Sequence, residues 1–297
     1  MRADVAQATP QDGGRRLNAV LALDRMSIEE AGPNPDRLAA AIHDQLGHES
    51  GEVPVAAIAM ALDIVEIREA PLRGLEGALV TPADRNVGMI AINSASSKTR
   101  RLFTLAHELG HFLNPWHTPE DGSGFACSRS DIGTPWGRPP PAAARRAIQE
   151  AEASRFAIEL LAPKRLARRY LHGLPDLARA IALSDELGLS RESAARRYVE
   201  LHDESCALVF SSEGIVRYIE RRSAFPWLSC QRGDRLPILP SVVDASGLSA
   251  HEEAIARDWV ARPSRDALIV QTLTQSRGFA ITLLAFEASD SEDDEGQ

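Results

Sequence analysis

Residues 100–113, RRLFTLAHELGHFL, constrain this chain more than any other stretch. Leu102, Leu105, Ala106, Leu109, Phe112 and Leu113 recur at helical spacing. Thr104, His107, Glu108 and His111 fall at i, i+3, i+4 and i+7, so they share another face of the same helix. Such a helix can bury one side and still present two imidazoles and a carboxylate. Histidines four residues apart project side by side and can hold one zinc ion at about 2.0–2.1 Å. The glutamate after the first of them has the role of a general base towards water in such a site. The competing account is a surface helix with two unrelated histidines. The chain has only eight histidines, and both the intervening Glu108 and the flanking apolar run fit the metal account better.

At 297 residues the chain is long for one domain, and its 44% hydrophobic and 25% charged content is that of a soluble globular protein. No apolar run approaches the roughly 20 residues of a membrane span, and no apolar segment of signal-peptide type follows the start, so neither a membrane nor a secretory route is expected. Cys127, Cys206 and Cys230 are odd in number, widely spaced and form no C-x-x-C. That pattern points to a reducing, cytoplasmic setting, away from a disulfide framework or a cysteine-based zinc site. Cys127 suits a ligand as well as a buried apolar filler, and filler is favoured. A net charge of −9, part of it in the tail at 289–297, gives no general attraction to nucleic acid.

Along the chain, residues 1–16 lack periodicity and are expected to be disordered, while 17–30 fit either a short helix or an extension. Pro33-Asn34-Pro35-Asp36 predicts a helix start leading into 37–46, and a second helix is expected over 54–62. Strands are predicted at 64–68, 78–81 and 88–93, the last two joined through turn residues 82–86, and Ser94–Ser97 offers caps for the motif helix. This order implies an α+β unit with a small antiparallel sheet. Residues 114–141 are irregular and end in three prolines, with Phe125-Ala126-Cys127 as a small plug. A helix is expected from 142 to 161, carrying Glu150 and Ser154 on one face.

Further helices are predicted at 165–170, 174–187 and 191–201, with Gly188 ending one and Ser190 capping the next, as in a helix-turn-helix. Residues 164–200 hold eight Lys/Arg against five Asp/Glu. A DNA-reading helix and an ordinary packing unit both fit, the latter better. The last third is β-rich, with hairpins at 206–210/215–219 and 267–273/279–286. Residues 223–239, with Trp227 and Cys230, suit core better than a ligand cavity.

A catalytic zinc site commonly has three protein ligands and an open position. His117 stands ten residues after His107, matching H-E-x-x-H-x-x-G-x-x-H with Asn114 at the glycine. That class needs a methionine turn downstream, and Met1, Met26, Met60 and Met89 all lie upstream. Glu150 is the better third ligand, since its i+4 partner Ser154 can hydrogen-bond a ligand histidine from behind. His107, His111 and Glu150 then make a thermolysin-like His₂Glu set, and Glu152 faces elsewhere as a solvated ion-pair partner.

Residues 101–112, RLFTLAHELGHF, and 150–163, EAEASRFAIELLAP, together resemble the two conserved blocks of the ImmA/IrrE family of metallopeptidases across roughly residues 35–163. The family usually has Asn where Ser154 stands. The resemblance implies a zincin-like metallopeptidase domain over 17–163, a helix-turn-helix-like segment over 164–203, a GAF-like sensor domain over 204–288 and an acidic tail over 289–297. It also implies zinc, or alternatively manganese, and a helix-turn-helix transcriptional repressor as the substrate. Cleavage would switch on a stress, DNA-damage or mobile-element programme, with a small molecule or DNA as effector. Within that expectation Glu108 is the general base, and the strand at 88–93, if at a sheet edge, holds the substrate extended. The rival expectations are a regulator that acts by binding DNA or a repressor without proteolysis, and a toxin-like protease.

Overall fold

The computed structural model describes residues 21–118, 124–128, 145–237, 243–262 and 268–286. The expectations for residues 1–16, the triple proline and the acidic tail fall outside them.

Local chemistry starts and stops the early helices. Asp24 accepts a hydrogen bond from the Ser27 N–H to open α1 (Arg25–Glu29). Asn34 does the same for Arg37 at the head of α2 (Pro35–Leu46), where Pro35 suits the first turn, and Gly47 closes it in the left-handed region. Helix α3 (Val55–Ala61) leads into β1 (Ile64–Ala70), β2 (Gly77–Val80) and β3 (Gly88–Asn93). Ser97 caps α4 (Lys98–Leu113), the motif helix. Strand β4 (Phe125–Cys127) and α5 (Arg145–Leu161) follow.

The first sheet has the order β1-β3-β2-β4. It is mixed, which corrects the expected antiparallel sheet: β2–β3 and β2–β4 are antiparallel, but β1 runs parallel to β3. The β2–β3 hairpin inserts its second strand beside β1, so the connection out of β1 crosses over instead of turning back. Strand β3 is therefore interior, so the condition set for residues 88–93 to hold a substrate, a place at the sheet edge, is not met. Among the described residues the edge on that side is β4, which lies in what the sequence suggested was irregular chain.

Helix α4 packs on this sheet and on α5. Leu109 and Phe112 are fully buried, each burial stabilising by about 2 kcal/mol. Gly110 lets the two helices approach: a Cβ there would meet Phe156 Cδ1 at 2.9 Å and the Ala153 Cα at 3.3 Å.

Beyond α5 come α6 (Lys164–Ala167), a 3-10 turn at Arg168–Tyr170, α7 (Leu177–Leu187) and α8 (Arg191–Leu201). Gly188, at φ 65°, ends α7 and Ser190 caps α8. The α8 arginines meet carboxylates: Arg191 pairs with Asp185, Arg196 with Glu220, and the fully buried Arg197 with Glu159 and Glu200. The second sheet contains β5 (Cys206–Ser212), β6 (Ile215–Arg221), β7 (Glu252–Ala254), β8 (Leu268–Thr274) and β9 (Phe279–Phe286), with the short α9 (Ala256–Trp259) before β8. It is antiparallel, in the order β6-β5-β9-β8-β7.

Strand β5 alternates between two cores. Cys206, Leu208 and Phe210 join a cluster that runs from Ile28 to Ala285, while Ala207 and Val209 face a second cluster with Phe225, Trp259 and Leu284. Within 223–239, Phe225 is core, whereas Trp227 is 74% exposed beneath the Arg221 guanidinium and Cys230 is half-buried. Among the described residues, no helix is long and apolar enough to cross a membrane.

Candidate metal centre

The polar face of α4 is turned inward. Thr104, His107, Glu108 and His111 are all fully buried. His107 Nε2 and His111 Nε2 lie 3.1 Å apart. From α5, Glu150 Oε2 comes within 3.1 Å of the first and 3.5 Å of the second. Two helices pressed together at Gly110 thus bring three donor atoms to one point.

The outer nitrogens of both imidazoles are held from behind. Ser154 Oγ lies 3.2 Å from His107 Nδ1, the partnership expected from its i+4 spacing to Glu150. His111 Nδ1 lies 3.0 Å from His117 Nδ1, and His117 Nε2 is 2.9 Å from Glu152 Oε2. One proton assignment satisfies the whole chain: His107 donates to Ser154, His111 to His117, and His117 to Glu152. Both Nε2 atoms then face Glu150. Both ring nitrogens of His117 are engaged away from the cluster, and Glu152 is its partner rather than a separate surface ion pair.

Protonation states agree with that assignment. Burial pushes the His111 pKa down to about 4, only partly offset by its hydrogen bond with Glu150. Burial, together with the neighbouring His111, takes His117 to about 3. Both rings are neutral near pH 7. Burial opposes ionisation of Glu150, but its hydrogen bonds with His107 and His111 outweigh that and hold it well below the usual carboxylate range. A neutral His111 beside an ionised Glu150 is the pairing that a divalent cation requires.

Glu108 stands apart. No nitrogen or oxygen donor among the described residues reaches its carboxylate oxygens. Burial raises its pKa to about 8, the Cys127 thiol draws it part of the way back, and the Glu150 charge pushes it up further. It is packed beneath β2, where a Cβ on Gly77 would meet its Oε1 at 2.6 Å.

Strand β4 supplies the remaining wall. The Phe125 ring stacks on His111 with centroids 4.4 Å apart. Cys127 Sγ lies 3.7 Å from His111 Nε2 and 3.9 Å from Glu150 Oε1. Cys127 is buried as expected, and its sulfur also belongs to a group with His107, His111 and Glu150 whose ligand atoms all lie within 4.8 Å of one another, the geometry of the ligand alternative. The period-two pattern of Phe125 and Cys127 around exposed Ala126 was the available signal. Arg85, in the β2–β3 turn, had no such signal. Its guanidinium binds the carbonyls of His111 (2.8 Å) and Phe112 (3.1 Å) and those of Asn114 and His117, collecting the end of α4.

Helix, buried glutamate and convergent donors are the parts of a metallopeptidase domain, and the donor set fits a divalent cation. Residues 65–117 match the model of the IrrE N-terminal-like domain, the Peptidase_M78 family of ImmA/IrrE metallopeptidases. The match runs from β1 through the turn after α4 and stops short of Cys127 and Glu150. No curated protein matches the chain.

Proposed function

We propose that the chain is a zinc-dependent endopeptidase whose ion is held by His107, His111 and Glu150, with manganese as the alternative ion. One observation carries this: the Nε2 atoms of His107 and His111 and the Glu150 carboxylate converge while both Nδ1 atoms are engaged elsewhere. When bound, the cation supplies Lewis acidity to a scissile carbonyl and to water. Glu108, whose oxygens meet no nitrogen or oxygen donor among the described residues, would in its ionised form take a proton from that water and return it to the leaving amine nitrogen. Ser154 and His117 keep the imidazoles oriented. The edge available to an extended substrate beside the site is β4 rather than β3.

The resemblance to ImmA/IrrE proteins supports a helix-turn-helix repressor as substrate, cleaved to release a stress, DNA-damage or mobile-element response. In the same scheme residues 17–163 are the peptidase, 164–203 a helix-turn-helix-like linker and 204–288 a GAF-like sensor of a small molecule or DNA. The carboxylate partners of the α8 arginines favour a packing role for that helix over DNA contact. Cysteines without a disulfide among the described residues suit action in the cytoplasm.

The test is incubation of the purified, metal-loaded protein with a helix-turn-helix repressor protein. Glu108→Gln should keep fold and metal while cleavage falls by about 10²–10⁴-fold, and Glu150→Gln should lose metal. Undiminished turnover in the first variant, or full metal content in the second, would overturn the assignment. Relief of repression with the repressor intact would favour a non-proteolytic regulator.

A further inference from the structure

Strand β4 places a sulfur where a hydrolase needs an exchangeable solvent position. Cys127 is completely buried, yet its Sγ faces His111 Nε2 and Glu150 Oε1 at 3.7 and 3.9 Å instead of lying among apolar atoms. The sulfur and the donor atoms of His107, His111 and Glu150 all lie within 4.8 Å of one another. Catalytic zinc sites keep three protein ligands and an open position, whereas sites with four protein donors, thiolates among them, are closed.

We propose that Cys127 is a fourth protein ligand to the ion, and that β4 in this position holds the peptidase in a closed, latent state. This rests on the metal assignment for His107, His111 and Glu150. Coordination exchanges the S–H bond for a sulfur–metal bond, and the thiol proton passes to solvent. The step calls for neither an oxidant nor a reductant.

The attachment of β4 suits a latch. It pairs with β2 over three residues. The Glu76 N–H donates to the Cys127 carbonyl at 2.9 Å, and Arg146 donates to the Ala126 carbonyl at 3.0 Å. Phe125 lies flat on the His111 ring. A three-residue edge strand held by such contacts can open as a local unit, leaving β2 and α4 folded. Withdrawing it removes both the ring covering His111 and the sulfur beside Glu108.

The full-length protein loaded with cobalt(II) distinguishes the outcomes. Cobalt in the cluster gives visible d–d absorption, and a bound thiolate adds a near-ultraviolet sulfur-to-cobalt charge-transfer band. The expected result is both features in the native protein and in Cys206→Ala/Cys230→Ala. Cys127→Ser and Cys127→Ala should lose the charge-transfer band, keep the d–d bands and keep the native circular dichroism. Acetohydroxamate, a small chelating probe, should then perturb the cobalt spectrum of Cys127→Ala at concentrations that leave the native spectrum unchanged. Cobalt binding that depends on His107 but shows no charge-transfer band would overturn the Cys127 proposal and leave the three-ligand site standing. A band that survives Cys127→Ser would overturn it equally. Absence of cobalt binding would overturn the metal assignment, and this proposal with it.

Discussion

His117 and Glu152 share a hydrogen bond of 2.9 Å, and through it a carboxylate on α5 orients a ligand histidine on α4. Three side chains in line, Glu152, His117 and His111, fix which nitrogen of His111 keeps its lone pair.

His117→Ala is expected to weaken metal affinity by about 10–100-fold, the usual cost of losing a partner behind a ligand histidine. Glu152→Gln can still accept from His117 Nε2–H, so it should cost less. Competition with a chromophoric chelator measures both. Equal affinities in all three proteins would show that the line of hydrogen bonds has no bearing on the site.

Gly77→Ala separates the general base from the ligands. The added methyl would strike Thr104 and Glu108 Oε1, with a stability cost of about 1–3 kcal/mol from overpacking. Metal content should persist while peptide cleavage drops sharply, because the displaced group is Glu108 and not a histidine. Metal analysis and turnover on one preparation decide the matter, and unimpaired turnover would contradict the packing described.

Arg197 is fully buried between Glu159 on α5 and Glu200 on α8, and its Nε–H also donates to the Ala162 carbonyl at 2.9 Å. Removing the guanidinium empties a fully buried site and leaves Glu159 and Glu200 with Arg155 as their shared partner. Arg197→Ala should therefore destabilise the fold by about 3 kcal/mol. A double variant, Arg197→Met with Glu159→Leu, should recover part of that loss, since an apolar pair needs no compensation. Urea denaturation of the three proteins tests the order.

Stability should fall on mild acidification. Burial holds the His43 pKa below its usual 6.5, reinforced by Arg165 and His48 and opposed by the Leu160 and Glu159 backbone carbonyls. His202 is lowered by burial too, against the raising influence of Glu204 and Asp203. A histidine depressed in the folded state binds fewer protons there than in the unfolded chain. Its contribution is complete above the unfolded pKa and is lost as pH falls from about 6.5 towards the folded value. The urea midpoint should drop between about pH 7.5 and 5.5, and His43→Gln should flatten that slope. An unchanged slope would remove His43 from the account.

Much of the molecule could be read from local signals. The caps Asn34, Ser97 and Ser190, the stop at Gly188 and the i, i+4 spacings of His107/His111 and Glu150/Ser154 are short-range chemistry, and each operates where the sequence places it. The relations that escaped are long-range. Whether β1 lies parallel or antiparallel to β3 depends on which edge the β2–β3 hairpin meets, which no window of residues records. Cys127 looks apolar beside Phe125 and Ala126, and the β2–β4 register is what turns it towards Glu150. Helix α7 begins at Leu177, later than periodicity suggests, because Asp176 after Pro175 caps it.

The guanidinium of Arg85 gives an ordinary hairpin turn an unusual obligation. Four main-chain oxygens spread over seven residues converge on one side chain, and Arg85 reaches them from a left-handed backbone position at φ 51°. Hairpin tips are commonly where insertions are tolerated and sequences drift. Here a change of one residue in turn length would pull that cation off the helix terminus that carries His111. The loop is thereby bound to the same dimensional tolerance as the motif it never touches in sequence.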